Sequence, residues 1–168
     1  HYFDPPQGAR SPALAKYFNK EGVDLAADAG PRGWSHFPHQ GDVGVRGIGR
    51  DMAEAFENVA RAMMEVVAPL ETIRPAQSVT VSCRAADPSI LLLDWLNEVI
   101  YAMATRSMLF SDFHVGIEGE ALVAEMRGEM VEPARHEPSV EPKGATLTEL
   151  RVEQRPDGLW LAQCVVDV

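Results

Sequence analysis

Two acidic positions, one a quarter of the way along the chain and one next to its last residue, carry the strongest chemical suggestion. The segment Trp34-Ser35-His36-Phe37-Pro38-His39-Gln40-Gly41-Asp42-Val43-Gly44-Val45 gathers two imidazoles and a carboxylate just before a strand. Hard cations such as calcium or magnesium take oxygen ligands and zinc favours imidazole, so this corner offers donors of both kinds. Read by itself, the segment is equally an ordinary polar loop with exposed histidines. At the far end, Trp160, Ala162, Cys164, Val166 and Val168 alternate along one strand face and leave Asp167 on the other. If residue 168 is the native terminus, Asp167 lies beside the chain's own α-carboxylate, which makes half a divalent-cation site. An acid that merely adds solubility at a frayed end would look the same.

Two further groups could support a site or a partner. Asp94, Asn97, Glu98 and Tyr101 fall at i, i+3, i+4 and i+7, one face of a helix that is otherwise apolar. That face is either wet, or it anchors loops or meets another protein. Arg135-His136-Glu137-Pro138 and Lys143 occupy a loop, where polar side chains are either solvated or reach a site or a docking protein. A Walker-type glycine loop, a G-x-S-x-G elbow and an H-E-x-x-H helix are all missing from the sequence. Catalysis by this chain alone therefore has no sequence signature.

The overall balance narrows the partners. With 168 residues, 46% hydrophobic and 24% charged, the chain is expected to fold as a single compact domain. Its 25 acidic against 15 basic residues give a net charge of −10. Affinity for nucleic acid comes largely from cations that displace counterions from phosphates. No dense Lys/Arg stripe is present, so direct RNA binding is not expected, whereas cations and protein partners are. Cys83 and Cys164 alternate with residues that face outward and read as reduced core positions. No apolar run approaches the ~20 residues that span a bilayer and no signal peptide opens the chain, so the expectation is a cytoplasmic protein with no membrane association.

The elements that must position these residues follow from periodicity. Residues 1–33, rich in proline and glycine, read as an N-terminal arm with one short helical candidate, Leu14 to Asn19. Opening on His1 rather than Met, the arm either includes residues foreign to the native chain or follows a further segment. The main domain spans 34–168. Val43 and Val45 predict a short strand that ends in a turn at Gly47 and Gly49. Asp51 and Glu54 form a capping box for a helix that Pro69 stops. Val79, Val81 and Cys83 predict a strand, and Asp87-Pro88 opens a second helix whose apolar residues cover most of its circumference, suited to the centre of the fold. Phe113 to Ile117 and Leu122 to Met126 predict a hairpin turning at Glu118-Gly119-Glu120. A loop from Glu132 to Pro142 precedes two last strands, Thr146 to Glu153 and Leu159 to Val168, joined at Pro156-Asp157-Gly158. The sum is an α+β fold of mostly antiparallel strands packed with two principal helices.

In order and spacing, several stretches resemble the archease family. His39-Gln40-Gly41-Asp42-Val43-Gly44-Val45 is similar to its H-T-A-D-V/I-G opening, Ala55-Phe56-Glu57-Asn58 to its A-F-E-N helix, and Leu93-Asp94-Trp95-Leu96-Asn97-Glu98 to its L-D-W-L-N-E helix. Arg135-His136-Glu137-Pro138, Lys143-Gly144-Ala145-Thr146 and the closing Val165-Val166-Asp167-Val168 resemble the later motifs. The resemblance implies a divalent cation, calcium or another hard metal such as magnesium or manganese, held by Asp42, Asp167 and Val168. His39, Asp94, Asn97, Glu98, His136 and Lys143 would support the site or dock a partner. It also implies activation of an RtcB-type RNA ligase, by promoting guanylylation and repeated turnover of the ligase, in tRNA splicing or RNA repair. Gln40-Gly41 stands where the family has Thr-Ala, and Gly144 interrupts its Lys-Ala pairing. Two other functions remain open at this point: a general chaperone or adaptor for nucleic-acid-processing proteins, and a metal-dependent phosphohydrolase using Asp42, Asp167 and His39.

Overall fold

Alternating apolar residues build two antiparallel sheets, and an amphipathic helix packs between them, with Ala55, Phe56, Val59, Met63 and Val66 buried and Glu54, Glu57, Arg61 and Glu65 along its less buried side. The computed structural model describes residues 33–168, so the helix expected around Leu14 to Asn19 lies outside the described residues. The first sheet joins β1 (Gly33–His39), β2 (Asp42–Gly49) and β8 (Trp160–Asp167), with β6 (Gly144–Ala145) and β7 (Arg151–Gln154) sharing the far edge of β8. The second has the order β3 (Gln77–Arg84), β5 (Ala121–Met130), β4 (Met108–Glu118). Two principal helices, α1 (Met52–Val67) and α2 (Pro88–Arg106), complete the α+β fold with a one-turn helix, α3 (Pro133–His136).

Helix α1 is the central one, which reverses the expectation from the sequence. It packs against β1, β2 and β8 of one sheet and β4 of the other, and Phe56, Val59, Met63 and Met64 are fully enclosed. Its start is capped as expected, with the Asp51 carboxylate accepting from Glu54 N at 2.8 Å. The reason it can lie so close is a shelf of glycines. Gly47 and Gly49 belong to β2 rather than to a turn, and a Cβ on either would strike the α1 backbone around Ala55 and Val59. Helix α2 closes the side of the domain against β3, β6 and β7. Trp95 ties it to α1 by donating its indole N–H to Phe56 O at 3.0 Å.

Three other expectations change. The stretch read as a polar loop before β2 is itself strand β1, because its residues pair with β2 from Gly33↔Ile48 to His39↔Asp42. The penultimate strand is interrupted: β6 and β7 flank a turn over residues 146–150, where Thr146 donates to Val165 O at 2.9 Å and Glu149 takes φ 55°. Strand β8 is also covered on both faces, since Gln163 is buried beside Arg46 Nε at 3.1 Å and donates to Glu149 O at 3.1 Å.

Cys164 is buried and Cys83 half-buried, both as free thiols. Burial pushes Cys164 up to about 12. Burial, helped by the charges of Asp94 and Glu98, pushes Cys83 up to about 11. No helix among the described residues is long and apolar enough to cross a membrane.

The glycine shelf makes a direct prediction. Gly47→Ala forces α1 off the sheet and should cost roughly 1–3 kcal/mol in urea unfolding. Gly116→Ala, whose added methyl meets nothing nearer than Val123 O at 3.7 Å, should stay within about 0.5 kcal/mol of the parent.

Candidate functional site

The first hairpin sets one half of the site. His39 pairs with Asp42 across a two-residue turn in which Gln40 (φ 49°) and Gly41 (φ 95°) both have positive φ. Such turns follow the right-handed twist of the strands and favour glycine at the second position. Asp42 is thus the first residue of β2, and His39 shares its face.

The register of β2 against β8 sets the other half. Val43 pairs with Val166, both turned into the core, so Asp42 and the next residue of β8, Asp167, emerge together on the opposite face. Asp42 Oδ1 accepts from Val168 N at 3.3 Å, which draws the end of the chain over the carboxylate. Burial first, then the like charge of the neighbouring Asp42, push the Asp167 carboxyl above the ordinary aspartate range, while Lys143 pulls it down.

Lys143 reaches the site by design of the backbone. Its N–H donates to Asp167 O at 2.8 Å, and the following residues pair as Gly144↔Asp167 and Ala145↔Val166. Asn97 on α2 accepts from Ala145 N at 2.9 Å and so holds β6 against β8. The sequence-derived candidates Asp42, Asp167, Val168, His39 and Lys143 therefore gather at one sheet corner, with Asn97 bracing it.

The remaining candidates lie elsewhere. Asp94 and Glu98 are half-buried on α2, where their charges act on the Cys83 thiol of β3. His36 turns inward, fully enclosed, with Nε2 2.6 Å from Ala62 O. His136 is also buried: Nδ1 accepts from Glu132 N at 2.8 Å and Nε2 is 2.9 Å from Glu129 Oε2. Because a backbone N–H can only donate, Nδ1 is the acceptor and Nε2 carries the proton to Glu129.

Glu129 was not singled out from the sequence, yet it collects three donors. Arg135 Nη2 lies at 2.7 Å, Arg74 N at 2.7 Å and His136 Nε2 at 2.9 Å. Arg135 foremost, then the Arg74 and His136 N–H groups, hold its carboxyl down to about 2 against the opposing effect of burial. The available signal was an acid six and seven residues before Arg135-His136. It was masked because Glu129 sits on the face that alternation from Leu122 to Met126 assigns to solvent.

Chemically, the corner suits a hard, oxygen-seeking cation. Two carboxylates forced into contact repel when both are ionised, and a divalent ion relieves that repulsion. Among the described residues no group of three His, Cys, Asp or Glu side chains is placed to hold a metal. A cation here would therefore rest on Asp42 and Asp167, completed by backbone, terminal or water oxygens.

Comparisons with known proteins agree with this architecture. The profile of the archease protein family matches residues 34–168. Protein archease of Pyrococcus furiosus is 35% identical over 141 residues, 82% of this chain and 99% of that protein. The counterpart in Thermococcus kodakarensis is 36% identical with the same coverage, 82% and 99%. The solution structure of protein 1598 of Methanobacterium thermoautotrophicum superposes with a TM-score of 0.72 at 30% identity, covering 81% of this chain and 99% of that one. An archease of Thermotoga maritima, described as a possible chaperone, shares the fold at TM-score 0.53 and 17% identity, over 77% of this chain and 93% of its own.

Two measurements follow from the electrostatics. Asp42→Asn removes the like charge, so the Asp167 carboxyl should titrate at lower pH than in the parent when followed by NMR. Glu129 has a depressed folded pKa, so its contribution is present above the ordinary value of 4.5 and is lost as pH falls through about 2. Glu129→Gln should flatten the pH dependence of stability over that window. It should also cost about 3 kcal/mol at neutral pH, read by chemical denaturation.

Proposed function

The chain belongs to the archease family, and on that premise we propose that it is a non-catalytic accessory protein that activates an RtcB-type RNA ligase in tRNA splicing or RNA repair. It does so with a divalent cation, calcium, magnesium or manganese, held at Asp42, Asp167 and Val168. The observation that carries this reading is the meeting of Asp42 with the end of β8, seen in the 3.3 Å contact from Val168 N.

Asp42 and Asp167 supply anionic oxygens and Val168 a further oxygen beside them. His39 flanks the corner, Lys143 presents an exposed positive charge next to it, and Asn97 braces β6. Asp94, Glu98 and His136 stabilise or extend the surface offered to the ligase. A bound cation supplies positive charge and Lewis acidity at that surface. The net charge of −10 favours approach to a basic cleft, such as one that binds nucleotide and RNA. Ligase guanylylation would be promoted by docking there, and the covalent chemistry stays with the ligase.

A second reading, a general chaperone or adaptor, is favoured by the description of the Thermotoga maritima relative as a possible chaperone. Affinity capture separates the two: one dominant ligase supports the first, many unfolded clients the second.

In a single-turnover guanylylation assay with the cognate ligase, the parent should accelerate the step, and Asp42→Ala and Asp167→Ala should not, with their circular dichroism unchanged. Calcium at about a hundred times its Kd should stabilise the parent by about 2.7 kcal/mol. The same calcium should leave Asp42→Ala unmoved. Stimulation by both variants at the parent's level would defeat the proposal.

A further inference from the structure

Between the end of β5 and β6 the chain runs from Val131 to Lys143 with one turn of helix as its only regular structure. Such a segment has little intrinsic reason to hold one path. Here it is fastened at both ends. At its start, Glu129 binds Arg135 and His136, Arg135 also donates to Thr72 O at 2.6 Å and to Glu132 at 2.9 Å, and His136 accepts from Glu132 N. In the middle, Ser139 N donates to Val67 O at 2.8 Å, and Val140 is buried. At its end, Lys143 N donates to Asp167 O.

The composition of the first fastening is informative. Side chains of Glu129 and His136 are 12% and 0% exposed, so the cluster bears the desolvation of a carboxylate. Buried ionic clusters often stabilise no better than apolar residues of the same volume, but their directional bonds discriminate between alternative paths of the backbone. Each Glu129 oxygen is used: Oε1 by Arg135, Oε2 by both Arg74 N and His136. An apolar replacement could fill the space without specifying where the segment leaves it.

We propose that Glu129 is a positioning residue: through Arg135 and His136 it sets the 131–143 segment so that Lys143 meets Asp167, shaping the cation corner without touching it. The functional part of this inference rests on the reading of Asp42 and Asp167 as the working corner. The structural part stands apart from it.

Amide hydrogen exchange on the whole chain tests the structural part. In Glu129→Gln and in Arg135→Lys, which keeps the charge but not the planar fork that bridges Glu129, Glu132 and Thr72, the Ser139 and Lys143 amides should lose protection about tenfold or more. The amides of the central strands β2 and β8, which open only with the whole fold, should lose no more than the drop in global stability accounts for, and their exchange should quicken with added urea while that of Ser139 and Lys143 does not. Unchanged protection at Lys143, or exchange at Ser139 and Lys143 that follows β2 and β8 in its urea dependence, would overturn the inference. In the guanylylation assay Glu129→Gln should lower stimulation, yet add no further loss in a Lys143→Ala background. Additive losses would mean that Glu129 does not act through Lys143. If the parent itself gives no stimulation, the ligase reading fails while the exchange measurement still decides the positioning role.

Discussion

The pairing of β2 with β8 joins the beginning of the domain to its end, and the candidate site depends on its register. Val43 opposite Val166 turns two valines into the core and, by alternation, two aspartates out of it. A slip of one residue would exchange these sets, burying carboxylates and exposing valines. The hydrophobic core therefore selects the register, and the register assembles the acidic pair. No local feature of either strand could do this alone, because the partners are far apart in sequence and the contact forms only when the sheet closes.

That closure in turn needs α1 to lie flat on the strands. Gly47 and Gly49 remove the side chains that would hold it away, and α1 then covers the inner faces of β1, β2 and β8 while reaching β4 of the second sheet. Burial, and then the charge of Asp42 beside it, push the Asp167 carboxyl up, so the contact at the sheet corner is unfavourable taken by itself. It persists because the surrounding ladder and core fix both backbones.

Around this corner the structure separates support from display. Asn97 and the Glu129 cluster are engaged with backbone and with buried partners, whereas Asp167 and Lys143 face solvent. His136 belongs with the supports, since both of its ring nitrogens are taken up inside the protein. Enclosed groups define the geometry, and the groups left exposed at the corner are charged.

Much of this was readable from residue patterns. Alternation located β3, the β4–β5 hairpin and β8, the Asp51 and Asp87 caps located both helices, and the recurring motifs pointed to the family. Periodicity missed β1, because His36, Pro38 and His39 read as loop chemistry although the strand is defined by its bonds to β2. It also misjudged Gly47 and Gly49 as a turn, and α2 as the central helix, since both errors turn on what packs against a segment rather than on the segment itself. The sequence by itself determined the α+β class, the two principal helices and most of the strands, and named the residues whose side-chain chemistry suits a cation or a partner, because those follow from local spacing and residue type. Only the tertiary structure decided that Asp42 meets the end of β8, that Asp94 and Glu98 face Cys83 instead, and that Glu129 lies inside, because each depends on strand register and helix packing between residues distant along the chain.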